Sequence, residues 1–313
     1  MRSLPARLIL LTLLPATTWS QSGLRDTTEV FLQLYLLDLS RIDDTQEAIT
    51  AEFVIEIRWP MAGVRDTIMP YATERMPRVE FRDLIDLQPV YPNEVVVDGA
   101  GMAVYNQRLL GTIQQRFDFT DFPYDEQMLK IEVFTRGSPP YRLVPDTTAV
   151  LGLMPGFEDL TAWDIQFEGL HRTRLPGPGS TLEALTYTFL LERHSVYYFW
   201  KILLPISLIV LMSWGAFWVP AEEISAQLTV SVTAILTLIA FQFSVSQLVP
   251  PLSYLTYLDK FSAGANFFVF LAFLESILTS YQAKVGRHRL SQRIDAFARF
   301  FFPIAFIIFL LVI

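Results

Sequence analysis

Apolar positions follow two different rhythms along this chain. Up to about residue 192 they alternate with polar ones in short runs, and from Tyr197 onward they merge into blocks of helix length. The alternation is clearest where Phe53, Ile55 and Ile57 interleave with Glu52, Val54, Glu56 and Arg58, the period of a half-buried strand. Strand-like runs occupy residues 30–39 and 48–59, separated by the polar turn Arg41-Ile42-Asp43-Asp44-Thr45. Others fall at 94–97, 102–106, 109–119, 127–134, 163–170 and 182–192. Turn chemistry separates them, as in Asp98-Gly99-Ala100-Gly101 and Pro176-Gly177-Pro178-Gly179. Many short strands and no amphipathic helix predict an all-β sandwich.

The later blocks predict four membrane helices, at about 197–218, 225–249, 259–281 and 296–313. The first carries Pro205 and ends in interface aromatics, and the second stops at Pro250-Pro251. Lys284, Arg287, Arg289 and Arg293 crowd the link between the last two, which the positive-inside rule assigns to the cytoplasm. Arg2 and Arg7 ahead of the apolar run 8–14 read as a signal peptide over residues 1–20, excluded from fold reasoning. The expected organisation is a β-sandwich over 21–196 and a transmembrane domain over 197–313, with both termini outside.

The second helix carries its own signal. At 100° per residue, Thr229, Thr233, Leu236, Ala240, Phe243 and Gln247 fall within a sector about 80° wide, with Ser225 just off it. A stripe that bears hydroxyls suits the lining of a pore, where water satisfies it. Ser and Thr also serve as close-contact residues between membrane helices, so the stripe alone leaves an internal packing face open.

Composition sharpens this division. The chain is 52% hydrophobic with a mean hydropathy of +0.35, high for a soluble globular protein. Residues 21–196 hold 15 Lys and Arg against 27 Asp and Glu. So acidic a domain argues against nucleic acid and favours cations or amines as partners. There are no cysteines, no metal-spaced His cluster and no phosphate-cradling glycine loop, and His171, His194 and His288 are isolated. Neither an enzyme site nor a cofactor is expected.

Phe122-Pro123-Tyr124-Asp125 matches the aromatic-Pro-aromatic-Asp core of a known signature loop. Trp59, Trp163-Asp164, Tyr105-Asn106 with Arg108, Arg193 twelve residues before Pro205, and Ser213-Trp214 also look like positions of the same family. With these motifs the chain resembles the pentameric ligand-gated ion channels, specifically their short prokaryotic members without the flanking cysteines. The resemblance covers residues 24–313 and implies a homopentamer in a bacterial inner membrane, its sandwich domains outside and its second helices around the axis. It implies a gate at Leu236, a second apolar ring at Phe243, and carboxylates of Glu222 and Glu223 at the inner mouth that select monovalent cations. Ala226 departs from the Glu found at the narrower position of many cation-selective members. Asp44, Pro123, Asp125, Arg193 and Pro250 are implied at the junction between the domains, where the Arg193 fork could bridge both carboxylates.

By position in that family, Glu132, Phe134 and Arg136 should share one ligand-binding segment, and residues 170–183, with Arg172 and Arg174, should form the capping loop. That loop lacks the paired aromatics that cage a quaternary ammonium. A small amine, a carboxylate held by the arginines, and protons stay open as agonists. Two other function classes stand beside this one. A membrane-anchored periplasmic ligand-binding protein needs only one membrane helix, and a secondary transporter would show inverted repeats, which are not seen.

Overall fold

The computed structural model describes residues 27–72, 76–136, 141–146, 152–154, 162–177, 180–246 and 251–313. The expected signal peptide lies outside them. Among the described residues twelve strands run in order: β1 (Thr28–Asp43), β2 (Ala48–Pro60), β3 (Thr67–Pro70), β4 (Arg78–Phe81), β5 (Leu84–Pro89) and β6 (Glu94–Val97), then β7 (Met102–Gln114), β8 (Glu126–Arg136), β9 (Tyr141–Pro145), β10 (Gly152–Leu153), β11 (Trp163–Gly177) and β12 (Ser180–Arg193). One sheet has the order β10-β1-β2-β7-β6-β3, with β5 paired to β7 and β9 to β1; the other has the order β11-β12-β8-β4. Alternation closes the sandwich. Leu32, Leu34, Phe53, Ile55 and Ile57 from the first sheet and Leu129, Ile131, Tyr187 and Phe189 from the second are all buried in one core.

Four apolar helices follow: α1 (Val196–Trp218), α2 (Ile224–Val245), α3 (Tyr257–Lys284) and α4 (His288–Val312). Each is long and apolar enough to cross a membrane. Two expectations shift here. The fourth helix begins at His288 rather than near 296, because its charged first turns stay helical. The runs 102–106 and 109–119 are one strand ending at Gln114.

Prolines in the helices are compensated by named groups. Pro303 in α4 has no N–H to give the Arg299 carbonyl one turn back, and the Trp214 indole N–H of α1 donates to it instead at 3.1 Å. Arg299 Nε in turn donates to the Phe217 carbonyl at 2.9 Å, capping the C-terminal end of α1. Ahead of Pro205, residues Phe199–Leu203 widen into a π-type turn. Aromatic rings form the α3–α4 seam, with Phe268 lying 5.3 Å from Phe302 and 5.2 Å from Phe306. At Gly264 a Cβ would stand 1.9 Å from the Phe309 ring, so only glycine permits this approach.

Candidate functional site

The junction between sandwich and bundle is built on the last residue of a buried row. On β12, Leu185, Tyr187, Phe189 and Leu191 face the core, and Arg193 continues that alternation at the membrane end. Its side chain is 2% exposed. Arg193 Nε and Nη2 donate to the two carboxylate oxygens of Asp125 at 2.7 and 3.1 Å. Nη1 and Nη2 donate to Asp44 at 2.8 and 2.9 Å, so one planar fork holds both acids. The guanidinium also stacks 4.0 Å from the Trp163 ring centroid, and Trp163 pairs directly with Arg193 across the sheet. Burial opposes the charge on Arg193, but its hydrogen bonds to both carboxylates outweigh it and raise its pKa.

The signature loop reaches the membrane helices through backbone bonds. Tyr257 N–H donates to the Thr120 carbonyl at 2.8 Å and Leu258 N–H to the Phe122 carbonyl at 3.2 Å, which uses two orphan donors at the start of α3. The Phe119 N–H donates to the Tyr254 hydroxyl at 3.0 Å. Pro123 follows a cis peptide bond within this loop. Behind it Gln127 Nε2 donates to Asp125 Oδ2 at 2.6 Å, a partner that motif matching did not indicate. Pro250 lies outside the described residues.

Helix α2 separates its polar residues onto two faces. Gln227, Ser231, Ala234 and Leu238 are buried against the bundle. Ser231 meets Ser276 of α3 at 3.2 Å, while Ser280 donates to Gln227 Oε1 at 2.9 Å. The packing role of small polar residues thus belongs to this seam. The predicted stripe lies elsewhere: Ser225, Thr229, Thr233, Leu236, Ala240 and Phe243 are all exposed in the single chain. Leu236 is 62% and Phe243 72% exposed, although both are apolar. Thr229 turns its hydroxyl back onto the Ser225 carbonyl at 2.7 Å. Gln247 lies outside the described residues.

At the other end of α2, Glu222 and Glu223 are exposed. Glu223 stands at the N-cap position without a side-chain capping bond. Glu222 Oε1 lies 3.1 Å from His288 Nδ1 at the start of α4. Hydrogen bonds from its own backbone N–H and from His288 hold the Glu222 carboxyl below the usual range. Ala226 is half-buried beside them.

The expected ligand residues converge only in part: Glu132, Phe134 and Arg136 share one face of β8, and Arg172 and Arg174 do not join them. Phe134 packs with Leu175, Ala184 and Leu182, and Arg136 lies 5.5 Å over its ring while pairing with Glu80 at 3.1 Å. Glu132 pairs with Arg82 at 3.2 Å and lines an open polar groove of about 810 Å³ with Asp118, Glu126 and Lys130. Arg172 and Arg174 pair with Leu185 and Glu183, on the sheet face opposite Phe134. A bulge between Phe167 and Gly169 explains this, because it reverses which residues of β11 face inward. The expected capping loop is itself a hairpin, with pairing continuous from Leu170–Tyr187 to Gly177–Ser180.

Comparison with known proteins gives a consistent set. Residues 202–289 match the neurotransmitter-gated ion-channel transmembrane region. A proton-gated ion channel of Gloeobacter violaceus is 25% identical over 291 residues, covering 88% of this chain and 79% of that protein. A gamma-aminobutyric acid receptor subunit beta of Lymnaea stagnalis is 28% identical over 202 residues, 62% of this chain and 40% of that one. The corresponding Caenorhabditis elegans subunit is 27% identical over 191 residues, 60% of this chain and 34% of its own. The alignments span well under half of those two animal subunits. All three relatives are channels or receptors and none is an enzyme.

Proposed function

Because this chain belongs to the pentameric ligand-gated ion channels, we propose that it forms a homopentamer whose five α2 helices surround a water-filled, cation-selective pore. The observation that carries this reading is the exposed α2 face, where the hydroxyls of Ser225, Thr229 and Thr233 are followed along one stripe by Leu236, Ala240 and Phe243, all open in the single chain. One such face cannot enclose water, and several copies around an axis can. Five Leu236 side chains then form a constriction that closes by dewetting. Glu222 and Glu223 place ten carboxylates at the inner mouth, where they concentrate monovalent cations.

The sandwich and the C-terminus stand outside, and the basic α3–α4 link stands in the cytoplasm of a bacterial cell. A small ligand or a pH change at the sandwich opens the pore. Motion of the signature loop reaches α3 through the Tyr257 and Leu258 backbone bonds and α1 through Arg193. The carboxylate-rich groove around Glu132 supports the pH arm, as does a relative that is named as proton-gated.

The test is single-channel recording from purified protein in planar bilayers, stepping pH and a panel of small amines and carboxylates separately. Unitary currents that reverse near the sodium potential in asymmetric NaCl are the expected result. Silence under every condition from correctly assembled protein would sink the channel reading.

A further inference from the structure

Helices α3 and α4 bury a pair of acids that the pore face does not use. Both carboxyl oxygens of Glu275 on α3 are closed off from solvent and have no hydrogen-bond donor. Asp295 on α4 is 4% exposed, and its Oδ1 is likewise without a donor. The two carboxyls face each other within hydrogen-bonding reach. Ser291, one turn before Asp295, is 1% exposed and its hydroxyl is also unpartnered.

The surroundings supply too little positive charge for two anions. On α4, Arg299 acts on both acids, but its Nε is committed to the Phe217 carbonyl and its guanidinium lies 5.6 Å over Trp218. On α3, the Thr279 hydroxyl reaches Asp295. From the α1–α2 link, Glu222 adds a further negative charge acting on Asp295, and His288 is paired with that Glu222. Helix α2 contributes Gln227 and Ser231 to this inner part of the bundle, neither of them titratable, and α1 contributes Trp214 and Trp218. Two adjacent carboxylates in such a setting would combine mutual repulsion with the cost of desolvating both. One proton resolves both problems. It turns one carboxyl into a donor for the other and leaves a single negative charge opposite Arg299.

We propose that Glu275 and Asp295 hold one proton between them, as a carboxylic acid donating to a carboxylate, and that this proton-binding site locks α4 onto α3 in the inner half of the bundle. The exchange is a proton transfer alone. When the O–H bond breaks, the proton passes to water or hydroxide and two facing carboxylates remain. Their repulsion then drives α4 away from α3. The site lies on the bundle side of the helices, apart from the stripe of α2, and does not depend on conduction.

The experiment is infrared difference spectroscopy of the full-length protein in proteoliposomes, titrated from acid to alkaline pH, with melting temperature followed in parallel. Wild type should show a protonated-carboxyl C=O stretch at neutral pH that disappears on alkalinisation. The band should vanish in both Glu275→Gln and Asp295→Asn, because each amide donates to the remaining carboxylate in place of the shared proton. Melting temperature should fall with alkalinisation in wild type and stay nearly level in both variants. If the variants assemble poorly, the wild-type spectrum still decides. No such band at neutral pH, a band that survives in both variants, or an equal alkaline loss of stability in all three proteins would overturn the proposal.

Discussion

The junction and the exposed stripe of α2 are opposite solutions to placing polar groups in one chain. At the junction the buried charges meet their partners inside the subunit: Arg193 makes four hydrogen bonds to Asp44 and Asp125 and stacks on Trp163. On α2 the hydroxyls and the large apolar side chains of the stripe are left open in the single chain. A complete network transmits force, because removing one member leaves the others buried and unpaired. An incomplete face is an invitation to symmetry, since it becomes sensible only when copies share an axis. On the proposed reading, coupling can thus be disturbed within one subunit, whereas conduction needs the assembly.

The largest effect is expected at the complete end. Arg193→Ala would leave Asp125 buried without its counter-charge, a loss of about 3–5 kcal/mol by analogy with other broken buried pairs. The protein that still assembles should bind its stimulus and open weakly. Arg193→Lys should recover stability better than coupling, since an ammonium cannot span both acids as a fork does. Melting temperature and current density in the two variants check this. Wild-type stability in Arg193→Ala would show that the network is not a closed unit, and the contrast with α2 would dissolve.

A smaller loss is expected where the bundle has no slack. Gly264→Ala places a methyl group into the Phe309 ring and must separate α3 from α4 or turn that ring, costing about 1–3 kcal/mol. A thermal scan of the variant, with Gly215→Ala as a control at an open position, measures it. Equal melting temperatures for the two would mean that α4 yields freely.

The two regions also differ in how far the sequence disclosed them. The stripe was legible because a helix repeats on one face over many turns, and the meeting of Asp44, Asp125 and Arg193 was anticipated from motifs with fixed spacing. The long strands were visible in their alternation. Strands β3, β4, β5, β9 and β10, of two to six residues, are too short for a period to emerge and are held by their neighbours. That Arg172 and Arg174 lie on the sheet face opposite Phe134 could not be read from the residues, because nothing in them announces the bulge at Phe167 and Gly169. The Gln227 and Ser231 seam and the Glu275–Asp295 pair escaped for another reason. Each depends on which residue of a neighbouring helix faces it, and helix rotation is set by packing.

On the proposed pore face, Leu236→Thr should ease opening. A hydroxyl ring lowers the cost of wetting the constriction, and a shift of the activation midpoint by about tenfold corresponds to ~1.4 kcal/mol. Dose–response curves against pH or agonist read it directly. An unchanged midpoint with no resting leak would place the gate elsewhere on the stripe.

The finest distinction is between the two glutamates at the inner mouth. The Glu222 carboxyl is held below the usual range by its own backbone N–H and by His288, 3.1 Å away, whereas Glu223 at the start of α2 has no side-chain capping bond and adjoins Ser225 and Thr229. A carboxylate close to the ion path acts on it less screened than one held against a neighbouring helix, because screening in physiological salt acts over about 8 Å. Glu223→Gln should therefore move the reversal potential in asymmetric NaCl toward that of chloride more than Glu222→Gln does. Neutralising both should also lower single-channel conductance. Hydroxyls of Ser225, Thr229 and Thr233 can replace part of an ion's hydration shell but carry no sign, so they cannot restore the preference. If the double variant keeps wild-type reversal, selectivity arises in the outer vestibule or deeper along α2, and the glutamates serve only the helix ends.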